Sequence, residues 1–219
     1  MTKRQYDQYC PLASSLDIVG ERWAMLVVRE LLSGPKRFVD LEAGLPGIGT
    51  NTLATRLDEL EAGGVIARRR LPPPSPATVY DLTEWGRELE PVVIGIARWG
   101  SSRLATLEAR YPLRATWFAI ALKAFFQRAA VRDLKAVVEL AFPTGTLTLR
   151  FARGDFDVVN GPAEAPALRL VTSEQTFLEF LLTRGARPRG KDFRVEGDAS
   201  LLPRLAAAFP LKPETADSP

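Results

Sequence analysis

The sequence predicts an α+β protein in two parts: a run of helices closed by a β-ribbon, then an α/β domain on a mainly antiparallel sheet. Three observations carry this. Apolar residues recur at helical spacing up to residue 62, two strand-like runs flank a Pro-rich tip at 72–76, and period-two alternation begins near residue 138. A length of 219 residues accommodates two domains of about 100 each.

The elements follow in order. Leu12, Leu16, Ile18 and Val19 give a first short helix that stops at Gly20. Trp23 to Leu32 is strongly apolar and ends at Ser33-Gly34-Pro35, a helix stop. Phe38 to Ala43 is a short helix with Phe38, Leu41 and Leu45 on its buried side, and Pro46-Gly47-Ile48-Gly49 makes a turn. In the next helix, Thr50 to Ala62, Leu53, Leu57 and Leu60 share one face. Thr50, Asn51, Thr52 and Thr55 then sit at its free N-terminal end with Arg56 on the flank. Asp58, Glu59 and Glu61 lie toward its C-terminal end, which Gly63-Gly64 closes. Val65 to Leu71 and Thr78 to Leu82 read as strands joined by a stiff polyproline-like tip. Thr83 caps a long helix to about Ala109 whose Leu89, Val92, Val93, Ile96 and Trp99 leave an apolar stripe. A second copy of the helix is its natural cover, so a homodimer is expected.

Tyr111-Pro112 marks a composition shift. Trp117 to Phe126 is a helix apolar almost all round. Val138/Leu140/Phe142, Leu147/Leu149/Phe151 and Phe156/Val158 then alternate as three antiparallel strands. Leu168 to Val171 is a fourth strand. Thr172 and Gln175 have capping-box spacing before a helix containing Phe177, Phe180 and Leu181. Phe193 to Glu196 is a fifth strand, and Gly197-Asp198 starts a last helix through Leu201, Leu205 and Phe209. The tail KPETADSP has the composition of a disordered segment.

Composition narrows the function. The chain has no His, which removes histidine triads and His-ligated zinc sites. One Cys cannot make an internal disulfide, in keeping with a reducing cytoplasm. No apolar run reaches the roughly 20 residues of a membrane span, and MTKRQYDQYCP has no signal-peptide core. Glu196 and Asp198 read as a strand end and a helix cap, so no catalytic residue, metal site or cofactor is expected.

The order helix, turn, helix, strand, wing, strand is that of a winged helix-turn-helix, in which a helix enters the major groove beside a basic ribbon. Small polar residues and an arginine at the start of a helix suit base edges and phosphates. Residues 1–105 hold thirteen Lys/Arg and thirteen Asp/Glu, so affinity for double-stranded DNA must come from local clusters. Lys36, Arg37 and the run Arg68 to Arg70 supply them. Side chains alternate along a strand, which favours Arg68 and Arg70 for one phosphate track. Without a charge on the tip, insertion of the tip itself into the minor groove is not expected.

The stretches CPLASSLDIVGERWAMLVVRELLSGPKRF, LPGIGTNTLATRLDELEAGGVIARR and YDLTEWGRELEPVVIGIARWG closely resemble HxlR-type winged-helix transcriptional regulators. The resemblance covers about the first 100 residues. It implies a dimeric regulator with Asn51, Thr52, Thr55 and Arg56 in the major groove. It also raises Cys10, since some members of that family sense oxidants or electrophiles through this position, where Lys3 and Arg4 could activate a thiolate. The alternative is that Cys10-Pro11 only positions the N-terminal arm.

Phrases such as PALRLVTSEQTFLEFLL and KDFRVEGDASLLPRLAAAF resemble the sterol carrier protein-like fold, less specifically. That resemblance implies an apolar tunnel between sheet and helices, with Phe118, Leu122, Phe126, Leu140, Leu149, Phe177 and Phe180 as lining candidates for a hydrophobic small molecule. The alternative is that they fill a core. The expected domains are thus 1–105, DNA-binding and dimerising, and 112–211, ligand-binding. The expected function is a cytoplasmic transcriptional regulator, not an enzyme. Other readings are an oxidant sensor with an architectural C-terminal domain, or a lipid carrier whose winged helix makes protein contacts.

Overall fold

The computed structural model describes residues 5–72, 76–101, 113–188 and 192–211. The expected tail, the tip residues 73–75, the helix beyond 101, the boundary at 111–112, and Lys3 and Arg4 lie outside them. The chain divides into two compact units, Met1–Val93 and Ile94–Pro219.

In the first unit, α1 (Pro11–Val19), α2 (Ala24–Leu31), α3 (Phe38–Gly44) and α4 (Thr50–Ala62) precede β1 (Ile66–Arg70) and β2 (Thr78–Leu82). The periodicity of α4 explains its seat: Leu53, Leu57 and Leu60 are all buried, alongside Val27, Val28 and Leu31 of α2 and Leu41 of α3. β1 and β2 pair antiparallel from Ile66↔Leu82 to Arg70↔Thr78. Lys36 adds a third rung, its N–H donating to the Tyr80 carbonyl at 3.0 Å and its carbonyl accepting from Tyr80 at 2.8 Å.

The expected single long helix after the ribbon is two pieces, α5 (Glu84–Arg87) and α6 (Glu90–Gly100). Thr83 is the N-cap, its hydroxyl accepting from the Gly86 N–H at 2.9 Å. Gly86 lies against the Val65 carbonyl so closely that a Cβ there would sit 2.0 Å from its oxygen. The boundary between the units falls within α6. On that helix Val93 is buried, whereas Val92, Ile96 and Trp99 are exposed.

The second unit contains α7 (Ala115–Phe125), a 3₁₀ turn at Arg128–Val131, β3 (Ala136–Phe142), β4 (Gly145–Ala152), β5 (Asp155–Asn160) and β6 (Leu168–Val171). α8 (Glu174–Leu182), β7 (Arg194–Gly197) and α9 (Leu201–Ala208) complete it. Strand order is β5-β4-β3-β6-β7. The β3-β4-β5 meander is antiparallel as the alternation implies, but β6 joins β3 in parallel, Val138↔Leu168 to Ala141↔Val171. Even-numbered positions of β3 and odd-numbered positions of β4 bury Val138, Leu140, Leu147 and Leu149 against Phe118, Phe177, Leu205 and Phe209 from the helices.

The opposite sheet face carries a buried carboxylate, Glu139. It accepts from Arg169 at 2.7 Å and from the Ala163 N–H at 2.8 Å, while Arg169 also reaches Glu196 at 2.9 Å. These contacts close the β5–β6 crossover onto the sheet, satisfying a charge that burial would otherwise penalise. The helix α8 is capped by Ser173 rather than Thr172: the Ser173 hydroxyl accepts from the Thr176 N–H at 3.2 Å.

Candidate nucleic-acid interface

The exposed end of α4 is small and polar. Thr50, Asn51, Thr52 and Thr55 are exposed, because the leucine stripe turns the other face inward. Two of them have internal partners. The Thr50 hydroxyl donates to Glu42 at 2.6 Å, and the Thr55 hydroxyl donates to the Asn51 carbonyl at 2.9 Å, one turn back. Asn51 and Thr52 therefore present the most accessible polar groups of this end.

The arginines are arranged less simply. Arg56 of α4 is largely buried, its side chain 15% exposed. It pairs with Glu59 one turn on and faces Glu21 at 3.6 Å, without an aligned hydrogen bond at Nη1. The structure thus turns Arg56 toward its own protein, where reaching a base means leaving two carboxylates. Arg68 leaves the ribbon for the C-terminal half of α4, pairing with Asp58 and, at 3.0 Å, with Glu61. Its guanidinium stands 5.4 Å from the Tyr80 ring centroid. Arg69 reaches the buried Asp81 at 3.3 Å, which Arg87 also holds at 2.6 Å. Arg70, at the outer end of β1, is exposed.

Lys36 and Arg37 flank α3. The Lys36 ammonium lies 3.6 Å from Glu30, a buried carboxylate of α2 that also pairs with Arg29 at 2.8 Å. Arg37 is exposed at the N-cap of α3, where its N–H donates to Asp40 at 3.1 Å. The residues that sequence reasoning missed are therefore acidic. Glu30, Asp58, Glu61 and Asp81 hold basic side chains in place, and only Arg56–Glu59, at i,i+3, had a local signal.

The seven tunnel candidates lie in one core. Phe118, Leu122, Leu140, Leu149, Phe177 and Phe180 are buried, and Phe126 is half-buried against them. Phe118 stacks on Phe142 at 5.5 Å and meets Phe177 edge-on at 5.4 Å. Cys10 is an exposed free thiol at the N-cap of α1, with Ser14 N–H donating to its carbonyl at 3.0 Å. Among the described residues, no helix is long and apolar enough to cross a membrane.

Comparison with known proteins shows what the N-terminal part of the chain is similar to. The model of the HxlR-like helix-turn-helix family matches residues 18–108. The HTH-type transcriptional regulator sll1512 of Synechocystis sp. is 41% identical over 95 residues, 43% of this chain and 70% of that protein. YybR of Bacillus subtilis, an HTH-type transcriptional regulator, is 36% identical over 100 residues, 46% of this chain and 80% of its own length. Among solved structures, the redox regulator HypR in its oxidized form is 36% identical, covering 42% of this chain and 96% of that chain at a TM-score of 0.40.

Proposed function

The chain belongs to the HxlR-like helix-turn-helix family of transcriptional regulators, and on that premise we propose that it binds duplex DNA as a homodimer with the start of α4 in the major groove. The carrying observation is the division of α4: Leu53, Leu57 and Leu60 are buried while Asn51 and Thr52 stand exposed at the N-terminal end. Asn51 can read a base edge, and Thr52 and Thr50 suit edges or phosphates. Arg37 and Arg70 contact phosphate. Lys36, Arg56 and Arg68 are held by carboxylates and set the geometry of the elements that make contact. Exposed Val92, Ile96 and Trp99 are the dimer surface, which sets two recognition helices about 34 Å apart on chromosomal DNA in the cytoplasm.

The second domain, 112–211, is in this reading a sterol carrier-like module that takes a hydrophobic small molecule. Support comes from the sheet carrying its helices' apolar side chains on one face and from the Phe-rich core there. Fluorescence anisotropy of labelled duplex against protein, repeated across a salt series, tests the DNA claim. Affinity must fall steeply as salt rises. A salt-independent affinity removes the phosphate contacts from the account.

A second reading, that Cys10 tunes DNA binding by oxidation, is favoured by its exposure at a helix N-terminus. It predicts that a Cys10→Ser variant binds DNA equally with and without oxidant while the wild type does not. In that reading the C-terminal domain is architectural.

A further inference from the structure

The first unit holds an open cavity of about 190 Å³ lined by residues other than those proposed to contact DNA. Its walls are Ser15, Ile18 and Val19 on one face of α1, Val65 at the foot of the ribbon, and Trp85, Glu88 and Leu89 around the α5–α6 junction. Gly63 and Gly64, the two residues after α4, pack closely against two of these walls. Gly63 lies under Ile18, where a Cβ would come within 2.7 Å of its methyl. A Cβ on Gly64, which is at φ +74°, would meet the Trp85 ring at 4.0 Å.

The chemistry of the walls is selective. Ile18, Val19, Val65 and Leu89 make an apolar floor, and Trp85 presents an aromatic surface, itself about half exposed. Besides the Trp85 indole N–H, two polar side chains remain, and both offer acceptors. The Ser15 hydroxyl already donates to the Pro11 carbonyl at 2.8 Å, so only its lone pairs face outward. Glu88 is a carboxylate, and among the described residues no ion pair engages it. A ligand for such a wall must bring N–H donors and gains most by carrying positive charge beside the tryptophan.

We propose that this cavity is an effector site for a small organic ammonium bearing one apolar ring or a short branched chain. A cavity of about 150 Å³ accommodates benzene, so the volume suits a ring with a short aminoalkyl arm. The apolar part lies on Ile18, Val19, Val65 and Leu89, and the ammonium sits between Glu88, the Ser15 oxygen and the Trp85 ring. The occupied wall is mechanically connected to the ribbon. The Val65 carbonyl accepts from the Thr83 N–H at 3.0 Å and the Gly64 carbonyl accepts from the Thr83 hydroxyl at 2.7 Å, tying the foot of β1 to the end of β2. A ligand bridging α1 and Val65 therefore fixes the ribbon against the helices. All seven lining residues belong to the first unit.

The test uses the full chain with 2-phenylethylammonium chloride, and with sodium phenylacetate as a size-matched anion at equal ionic strength. Thermal unfolding and tryptophan fluorescence report binding without DNA, so failure here leaves the DNA reading untouched. The expected result is saturable binding of the ammonium, none of the phenylacetate, and an affinity lowered roughly three- to fivefold by Glu88→Gln. Equal response to both probes, no response to either, or an unchanged Glu88→Gln affinity overturns the proposal. If neither probe binds and Trp85→Ala raises the dimer dissociation constant in sedimentation, a second copy covers the groove and the proposal falls.

Discussion

Glu61 on α4 holds Arg68 on β1 twice: the Arg68 backbone N–H donates to one carboxylate oxygen at 3.2 Å, and its guanidinium Nε meets the other at 3.0 Å. The pair fastens the recognition helix to the ribbon, with Tyr80 beneath the guanidinium. A bidentate clamp of this kind fixes an angle, although the ions themselves are exposed enough that each contributes little energy. Arg68→Gln should therefore weaken DNA binding while leaving the slope of log affinity against log salt unchanged. Arg70→Gln should lower that slope by about 1, the signature of one lost phosphate contact. Anisotropy titrations at four salt concentrations separate the two, and a reduced slope for Arg68→Gln would move it back among the phosphate contacts.

Much of the first unit was legible because its signals are local. The leucine spacing gives α4 as Thr50–Ala62, and Thr78–Leu82 and Thr83 fall where their strand and cap patterns place them. The break between α5 and α6 does have a local signal, Pro91 in the first turn of α6, whose missing N–H cannot continue a helix from α5, whereas the close approach of Gly86 to Val65 is a tertiary contact. The parallel β3–β6 pair was hidden for a related reason: alternation gives a strand its inner face but not its partner. The site divides the same way. Exposure of Asn51 and Thr52 follows from helical period, whereas Arg68 is drawn to Glu61, seven residues back, by contact between two different elements. Composition alone gave a basic run, and the structure spends part of it on carboxylates.

The Gly86 contact makes a stability prediction. A methyl group there would meet the Val65 oxygen, which already accepts a hydrogen bond from the Thr83 N–H. Gly86→Ala should destabilise the first unit by about 1–3 kcal/mol, the usual range for forced overpacking. Urea unfolding measures it, and a change near zero would show that α5 moves freely from the ribbon.

Acid should weaken the second unit. The carboxyls of Asp133, Asp192, Glu196 and Asp198 are each held below their ordinary range, chiefly by hydrogen bonds from Arg204, Thr176, Arg169 and Ser200 respectively. A depressed folded-state pKa means stability that is complete above the unfolded value, about pH 4, and is lost as pH falls through the folded value. Unfolding midpoints measured from pH 7 down to pH 2 should show this loss, and Asp192→Asn should flatten part of it. An identical pH profile for Asp192→Asn would remove that carboxylate as a contributor.

The exposed stripe of α6 predicts the oligomeric state. Ile96 is about half exposed with Val92 and Trp99 one turn to either side. Ile96→Glu places a charge on that surface and should convert the dimer to a monomer in sedimentation velocity. Binding to a two-half-site duplex should weaken far more than binding to a single half-site. A dimer that survives the substitution would locate the interface elsewhere.

Selection of bound sequences from a random duplex pool tests the central claim most directly, with the wild type compared against Asn51→Ala and Thr52→Ala. The account predicts an enriched motif of two half-sites about one helical turn apart. It further predicts that Asn51→Ala relaxes the motif at one position per half-site, a loss of about 1–3 kcal/mol of discrimination there. The Arg56 pairing with Glu21 and Glu59 predicts that Arg56→Ala lowers affinity without relaxing any single position. No enriched motif from the wild type, or a motif unchanged by both substitutions at the start of α4, would contradict the assignment of this helix as the reader.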